Sequence, residues 1–315
     1  MSKVRVCFLG TPEFAVTSLK ALLADDHFEV VGVVTQPDRP SGRKLQLTPS
    51  PVKALAQMHG LKVVAPESLK KNPLIVDEIR TWGAEVGVVV AFGQILTEDF
   101  MSSFQFGCVN VHGSILPKWR GAAPIQRSLE AGDLETGVTL QKMVKKLDAG
   151  DIIGIRKIQV PDDMEAMGLH DVLADLGADL LRVELMDYVR GNLAPVPQDE
   201  SLVTIAPKID KSECLLDWKL SGRALWGKVR GFTYGPGTYT TLAGKKLKIH
   251  RAAFVDEKAS ALPGVITSVG ADHINVATGS GLLKIIEVQP ESRNRQSVTD
   301  FLKANPLKVG DSLGT

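Results

Sequence analysis

The first 190 residues alternate apolar runs with segments of helical spacing, and this alternation constrains the fold more than any other feature. The runs VRVCFLG, FEVVGVVTQ and AEVGVVVAFG each contain a single charged residue. Between them lie segments such as PEFAVTSLKALLAD and NPLIVDEIRTWG, whose apolar residues recur every three or four positions. Apolar strands separated by amphipathic helices predict a sheet covered on both faces. We therefore expect an α/β fold with a doubly wound, mostly parallel sheet of Rossmann type.

A different pattern begins beyond residue 208. One helical segment, DWKLSGRALWGKVRGF, precedes short apolar segments bounded by Gly or Pro. Such punctuation predicts a small β-barrel or sandwich. Since 315 residues also suit two domains, we predict a first domain at 1–190 and a second at 209–315. The prolines and polar residues of 191–208 are typical of a linker on the surface.

Several classes of protein are disfavoured by what the sequence lacks. No apolar run approaches the ~20 residues of a membrane-spanning helix, and the N-terminal apolar stretch is too short for a signal peptide. We therefore expect a cytoplasmic protein that binds no membrane. Cys7, Cys108 and Cys214 form no CxxC, and the histidines lack metal-ligand spacing. Neither a disulfide framework nor a metal site is predicted, and Cys7 and Cys108 are interpreted as core residues.

Familiar nucleotide and nucleophile motifs are also missing. The first strand leads into GTPEF instead of G-x-G-x-x-G, which disfavours NAD binding. The sequence holds neither a G-x-x-x-x-G-K-[ST] phosphate cradle nor a G-x-S-x-G nucleophile elbow. The chemistry must therefore come from another group of polar residues.

A pair of polar residues stands out in the run CVNVHGSILP. Asn110 and His112 are two positions apart on a predicted strand, so their side chains point to the same side. At the carboxyl end of a parallel strand, such a pair can direct an amide and an imidazole at one reacting oxygen. The alternative is that both residues merely bond a neighbouring loop. The pair alone does not decide between these interpretations.

An imidazole in such a site needs a carboxylate to orient it. The turn LDAGD supplies Asp148 and Asp151 just before an apolar run. Asp148 is the better candidate, because Asp151 is more simply a turn residue that introduces the next strand. Spacing alone does not establish that Asp148 reaches His112.

Charge points weakly to a polyanionic partner. From Ile209 onward, 15 Lys and Arg oppose 10 Asp and Glu, which gives +5 and leaves −4 for the rest of a chain of net charge +1. A Gly/Pro loop at residues 38–44 also carries three cations, Arg39, Arg43 and Lys44. A basic loop beside the mouth of a sheet can bind phosphates, although a solvated loop explains the same residues.

At FGCVNVHGSILPKWRGAAPIQ and LDAGDII the sequence resembles the folate-dependent formyltransferases, and more closely those that act on methionyl-tRNA. N-x-H, S-[LI]-L-P and the following Asp form the signature of formyl-tetrahydrofolate enzymes as a group. The basic loop, GAAPI and the C-terminal domain narrow the similarity to the tRNA enzymes. It runs from GTPEFA to VQPESRNRQSVTDFL, which is nearly the whole chain.

This resemblance implies a formyl donor, 10-formyltetrahydrofolate, and an acceptor, the α-amino group of initiator methionyl-tRNA. It implies three catalytic residues, which are Asn110, His112 and Asp148. The folate-contacting segment would be Ser114, Ile115, Leu116 and Pro117, and contacts to the tRNA acceptor stem would come from Arg39, Arg43 and Lys44. It also implies an OB-like barrel as the C-terminal, tRNA-binding domain. We expect a monomer that needs no metal.

Three other functions fit parts of the pattern. The enzyme could formylate a small amine, or it could hydrolyse the folate. A protein that keeps the fold and binds RNA without catalysis is a third interpretation, which the intact Asn110, His112 and Asp148 disfavour. The basic C-terminal domain would have no evident task with a small substrate and therefore favours tRNA.

Overall fold

The computed structural model describes residues 3–41, 46–258 and 260–314. Contacts between Cα atoms divide the chain into two compact units. The first unit comprises Met1–Pro124, Glu135–Ile158 and His170–Ile205. The second comprises Ile125–Leu134, Gln159–Leu169 and Ala206–Thr315. Two short segments that precede residue 170 therefore belong with the C-terminal unit.

The described strands and helices follow in chain order. The strands are β1 Val4–Gly10, β2 Phe28–Val34, β3 Arg39–Ser41, β4 Gln46–Thr48, β5 Val63–Val64, β6 Val86–Val90, β7 Cys108–His112, β8 Arg120–Gly121, β9 Glu135–Lys142, β10 Ile152–Gln159, β11 Ile205–Ala206, β12 Thr238–Leu242, β13 Lys245–Val255, β14 Ile266–Val269, β15 Ile274–Ala277, β16 Leu282–Pro290 and β17 Gln296–Ser297. The α-helices are α1 Glu13–Ala24, α2 Pro51–Met58, α3 Pro73–Thr81, α4 Glu98–Met101, α5 Pro124–Ala131, α6 Ala166–Val189, α7 Gly222–Gly231 and α8 Val298–Ala304. Short 3-10 helices lie at Leu69–Lys71, Glu200–Leu202 and Lys211–Cys214.

A seven-stranded sheet forms the centre of the first unit, in the order β10-β9-β7-β6-β1-β2-β5. β1 is parallel to β2 and β6, β2 to β5, and β6 to β7, whereas β9 is antiparallel to β7. The prediction of a mostly parallel sheet is thus confirmed. From β1 the chain builds outward through β2 and β5, and then on the other side through β6 and β7. Ligands of such sheets bind at the carboxyl ends of strands near this reversal, and β7 ends there at His112.

Local sequence explains where the helices begin. Ser50 and Asn72 accept hydrogen bonds from the backbone N–H groups of the first turns of α2 and α3, and a proline follows each of them. The predicted helix DWKLSGRALWGKVRGF is shorter than expected, because Ser221 accepts from the Ala224 N–H and caps the helix there. Within the predicted loop at residues 38–44, Arg39–Ser41 forms β3, which pairs antiparallel with β4, whereas residues 42–45 lie outside the described residues.

Two of the cysteines confirm their interpretation as core residues. Cys7 and Cys108 are buried and lie on either side of Gly87, which pairs with both across β1, β6 and β7. Burial raises the pKa of the Cys108 thiol to about 12 and holds that of Cys7 well above its usual range. Both thiols therefore stay protonated at neutral pH and are not available as nucleophiles.

The C-terminal unit is built on an antiparallel sheet, which confirms the predicted β-rich domain. Its strand order is β12-β13-β16-β15-β14, with β17 beside β16. Register shifts around Arg251 mark irregularities in β13, and such bulges bend a long strand as a small barrel requires. Helix α7 covers the sheet with Leu225, Trp226 and Val229. None of the described helices has the length and apolar character needed to cross a membrane.

An ion pair within this unit gives a pH-dependent prediction. The Arg127 guanidinium donates to both Glu213 carboxylate oxygens at 2.8 and 2.9 Å, and these hydrogen bonds lower the pKa of Glu213. A carboxyl whose folded pKa is lowered stabilises the fold above its unfolded pKa of about 4.3 and loses that contribution as the pH falls.

We therefore expect Arg127→Met to lower the free energy of unfolding by about 1.5–3 kcal/mol at neutral pH. The difference from wild type should narrow as the pH falls from about 7 to about 3. Calorimetric unfolding across this range measures it, with the exposed Lys211→Met as the control. A constant difference would show that packing of the Arg127 stem, and not its ion pairs with Glu213 and Glu130, is responsible.

Candidate active site

A polar face lies where β7 meets β9. In the antiparallel register Asn110 stands opposite Gln141, and His112 stands opposite Thr139. Side chains on directly opposite residues share a face of the sheet, so the four form one polar patch in an otherwise apolar sheet. His112 and Gln141 are buried, and Asn110 is half-buried. Asn110 and His112 therefore point to the same face of the sheet, as their spacing on one strand predicts.

The His112 ring is held from both edges. Its Nε2 lies 2.9 Å from the carbonyl oxygen of Trp119, which can only accept, so Nε2 carries the hydrogen. Its Nδ1 lies 3.7 Å from Asp148 Oδ2, within ion-pair reach but beyond hydrogen-bond length. The structure therefore brings two of the predicted catalytic residues together, with Nδ1 as the edge that meets the carboxylate.

The Asp148 carboxylate is fixed by two donors. The Gly121 backbone N–H donates to Oδ2 at 2.9 Å, and Gln141 Nε2 donates to Oδ1 at 3.0 Å. The other side-chain atom of Gln141, Oε1, is buried and has no hydrogen-bond partner among the described residues. With 12% of its side chain exposed, Asp148 keeps limited access to solvent and to a substrate.

Two of the five described non-glycine residues with positive φ lie around this pair. Asp148 has φ of 47° and Trp119 has φ of 65°, both in the left-handed region that non-glycine residues rarely adopt. Each such residue costs on the order of 1–3 kcal/mol and persists only where its surroundings impose it. The two strained residues are those that contact the His112 ring on opposite edges.

Gln198 and the buried Arg120 form a hydrogen-bond network that supports the turn containing Asp148. Gln198 Nε2 donates to the carbonyl oxygens of Asp148 and Gly150, at 2.8 and 2.7 Å. Its Oε1 accepts from Arg120, whose Nη2 also donates to Glu200. Hydrogen bonds from Arg120 and then Lys146 lower the pKa of Glu200 to about 2. The ionised Glu200 thus keeps the guanidinium of Arg120 in place.

The predicted folate segment follows His112 directly. Ser114 is buried, and its hydroxyl donates to the Lys118 carbonyl at 2.6 Å. Thr139 Oγ1 donates to the Ser114 carbonyl and accepts from the Leu116 N–H. Ile115 and Pro117 are half-buried, whereas Leu116 is buried. The side chains left for a ligand in this segment are therefore those of Ile115 and Pro117.

Of the three predicted tRNA contacts, only Arg39 can be placed. It lies on β3, and its Nη2 donates to Glu67 at 3.1 Å on an exposed surface. No contact joins it to the His112 group in the described part of the chain. Arg43 and Lys44 lie outside the described residues.

Sequence reasoning missed the residues that support the site, among them Trp119, Gly121, Gln141 and Gln198. Gln141 had a detectable signal, since Thr139 and Gln141 are two apart on an apolar strand, as Asn110 and His112 are. Trp119 and Gly121 act through their backbones, which leave no signal in side-chain chemistry. Gln198 lies in the segment interpreted as a linker, and nothing in its spacing distinguishes it.

The arrangement suits proton transfer and stabilisation of a developing negative charge. An imidazole beside a carboxylate can pass a proton, and an adjacent amide can donate to an oxyanion. Across residues 3–41, 46–258 and 260–314, no group of three or more His, Cys, Asp or Glu side chains could hold a metal ion. The candidate site therefore consists of Asn110, His112 and Asp148 with their supporting residues.

Comparison with known families gives two matches. Residues 3–183 match the model described as "Formyl transferase", and residues 208–306 match "Formyl transferase, C-terminal domain". The first match alone covers more than half of the chain, and it includes the whole of the candidate site except Gln198 and Glu200.

Individual relatives agree with these matches. The chain is 74% identical to a methionyl-tRNA formyltransferase of Bdellovibrio bacteriovorus, over all of both chains. It is 46% identical to one of Methylococcus capsulatus, covering 99% of this chain and 100% of the relative. Among solved structures it is similar to WlaRD, a sugar 3N-formyl transferase, with a TM-score of 0.68, 18% identity, and coverage of 93% of this chain and 100% of WlaRD.

Proposed function

This chain belongs to the formyl transferase family, and we propose that it transfers the formyl group of 10-formyltetrahydrofolate to the α-amino group of initiator methionyl-tRNA. The observation that carries the proposal is the full-length identity of 74% to a methionyl-tRNA formyltransferase. The placement of Asn110 and His112 on one strand face, with Asp148 at 3.7 Å from the His112 ring, supports it.

The reaction begins when the neutral amine of methionyl-tRNA attacks the formyl carbon. A new N–C bond forms and the carbonyl oxygen becomes an oxyanion. The Asn110 amide and the His112 imidazole are the donors proposed to stabilise that oxygen. His112 donates to it only when its Nε2 hydrogen turns from the Trp119 carbonyl to the oxyanion. In comparable sites one such donor contributes on the order of 3 kcal/mol.

Proton movement completes the reaction. The attacking amine loses a proton, which Asp148 accepts directly or through water, while the Asp148 carboxylate orients the His112 ring. The tetrahedral intermediate then collapses, the bond from carbon to the folate nitrogen breaks, and that nitrogen takes up a proton. Tetrahydrofolate leaves, and no net proton is gained or lost.

The two substrates are assigned to different parts of the chain. We propose that the segment from Ser114 to Pro117 contacts the folate, with Ile115 and Pro117 as its accessible side chains. Arg39, Arg43 and Lys44 would contact the tRNA acceptor stem. Residues 209–315, with 15 Lys and Arg against 10 Asp and Glu, would bind the body of the tRNA.

Two further proposals concern the state of the enzyme. The first is that the enzyme is a monomer. Its proposed substrate takes part in translation initiation, which supports a place in the cytoplasm.

The experiment that tests this function compares acceptors. Purified protein and 10-formyltetrahydrofolate are incubated with initiator methionyl-tRNA, elongator methionyl-tRNA or glycinamide ribonucleotide. We expect rapid formylation of the initiator alone. Formylation of the small amine would support the alternative of a small-molecule formyltransferase, and release of formate without any acceptor would support a hydrolase.

Asn110→Ala is expected to lower kcat about 10²–10³-fold, because it removes one donor to the oxyanion. The KM for each substrate should change little, since the lost interaction forms only as charge develops. Steady-state kinetics measures both, with the exposed Asn192→Ala as the control. A raised KM with an unchanged kcat would assign Asn110 to substrate binding instead.

Arg43→Ala is expected to raise the KM for tRNA while kcat stays the same. A lost phosphate contact should also reduce the slope of log KM against log salt by about one unit. Lys20→Ala, at an exposed position, serves as the control for the loss of one positive charge elsewhere on the surface. An unchanged salt slope would mean that Arg43 belongs to a solvated loop.

A further inference from the structure

We propose that Gln198 is a positioning residue for formyl transfer, because its side-chain amide holds the turn that carries Asp148 at the right distance from His112. This inference rests on the proposed function, since it concerns how that site is held together. It also gives a task to the segment 191–208, which the sequence identifies only as a linker.

One amide group spans the turn. Gln198 Nε2 donates to the carbonyl oxygens of Asp148 and Gly150, which lie on either side of Ala149. An amide NH₂ has two hydrogens, so it can satisfy both acceptors at once. The backbone on both sides of Ala149 is therefore tied to a single side chain.

The orientation of this amide is fixed from its other end. Gln198 Oε1 accepts from Arg120 Nε at 3.1 Å and from Arg120 Nη2 at 2.8 Å. Arginine can only donate, so the oxygen of Gln198 must face it and the NH₂ group must face the turn. Arg120 is only 2% exposed and also bonds Glu200, which leaves its guanidinium little freedom.

The backbone of this turn requires hydrogen bonds that hold it in place. Asp148 has φ of 47°, a conformation that persists only where the surroundings impose it. The Asp148 carboxylate has its own donors in Gly121 and Gln141, but these fix the side chain and not the backbone of the turn. Gln198 is the side chain that bonds the strained residue's own carbonyl.

The same segment also reaches the other edge of His112. Thr204 Oγ1 accepts from the Trp119 N–H, and the Thr204 carbonyl accepts from the Arg120 N–H, both at 2.9 Å. The Trp119 carbonyl in turn accepts from His112 Nε2. Residues 198–204 therefore contact the backbone that holds the imidazole as well as the backbone that holds the carboxylate.

Two substitutions test the Nε2 donor and the Oε1 acceptor of Gln198 separately. Gln198→Met removes both groups at similar size. Gln198→Glu keeps an oxygen for Arg120 but replaces the NH₂ group with an oxygen that repels the Asp148 and Gly150 carbonyls. We expect kcat to fall about 10–100-fold in both variants, because misplacing a reacting group by a fraction of an ångström has effects of this size. The KM for folate and for tRNA should change by less than about threefold.

A double-mutant cycle with Asp148→Ala supplies the decisive readout. If Gln198 acts by placing the Asp148 carboxylate, Gln198→Met should lower the single-turnover rate by less than about twofold once that carboxylate is gone. Glu200→Gln is the matched variant, since it changes the partner of Arg120 without touching the turn. We expect it to lower kcat far less than Gln198→Glu does.

Three results would overturn the inference. The first is an unchanged kcat in Gln198→Met or Gln198→Glu. The second is an equal fold-loss in the wild-type and Asp148→Ala backgrounds, which would mark a merely structural role. The third is a loss of kcat in Gln198→Glu that Glu200→Gln reproduces in full. The wild-type rate with initiator methionyl-tRNA tests the proposed function by itself, whereas the ratio of variant to wild type tests Gln198.

Discussion

Replacing Asp148 with Asn is expected to lower kcat for formyl transfer on the order of 10²–10⁴-fold, the usual contribution of a positioned acid–base group. The amide keeps the size of the side chain but cannot take the proton from the attacking amine. It also cannot accept at both positions where Gly121 and Gln141 now donate to the carboxylate. Because these interactions serve the chemical step, the KM values should stay close to those of wild type.

Asp151 offers a matched control in the same turn. It is half-buried, and its backbone carbonyl accepts from the Lys142 N–H, but no hydrogen bond to its side chain reaches the His112 group in the described residues. Asp151→Asn should therefore leave kcat within about twofold of wild type. Equal losses in the two variants would show that the turn responds to any loss of charge. A normal rate in Asp148→Asn would remove the carboxylate from the mechanism.

Replacing His112 with Ala is the second change with a large expected effect, again on the order of 10²–10⁴-fold in kcat. The imidazole is proposed to donate to the oxyanion and to share the proton with Asp148, and alanine can do neither. His112→Ala combined with Asp148→Asn should cost little more than one change alone, because residues that act as a unit are not additive. Single-turnover rates of the two single variants and the double variant measure this.

A second His–Asp pair, in which the histidine is buried and the aspartate is exposed, controls for structural effects. His170 is also buried, its Nδ1 lies 2.8 Å from Asp171 Oδ1, and its ring packs edge-on against Phe14. His170→Ala should lower the thermal midpoint and leave kcat within about threefold of wild type. If His112→Ala lost activity only in proportion to its lost stability, the catalytic role of His112 would be wrong.

The sequence predicts the architecture well where each element follows from local periodicity. An apolar run such as VRVCFLG predicts a buried strand in a sheet covered on both faces. The capping residues Ser50 and Asn72 mark where two helices begin. The assignment of 125–134 and 159–169 to the C-terminal unit depends on tertiary packing. Local periodicity carries no information about such contacts between distant segments.

In the candidate site, too, some residues could be predicted from the sequence and others depend on tertiary packing. Spacing on one strand pairs Asn110 with His112. The place of Asp151 in the turn and the resemblance both favour Asp148, and the structure places Asp148 3.7 Å from the imidazole. The sequence does not predict three other contacts, which come from the Trp119 carbonyl, the Gly121 N–H and the Gln198 amide. Two of them are backbone groups that every residue has, and the third lies 50 residues from Asp148 in the chain.

Transfer of a formyl group from folate to the amine of methionyl-tRNA can be followed directly. The most direct measurement follows a radiolabelled formyl group from 10-formyltetrahydrofolate through a single turnover on initiator methionyl-tRNA. We predict that the label appears in formylmethionyl-tRNA, with one tetrahydrofolate released for each formyl group transferred. Label recovered as free formate, or on a small amine while the tRNA stays unmodified, would contradict the account.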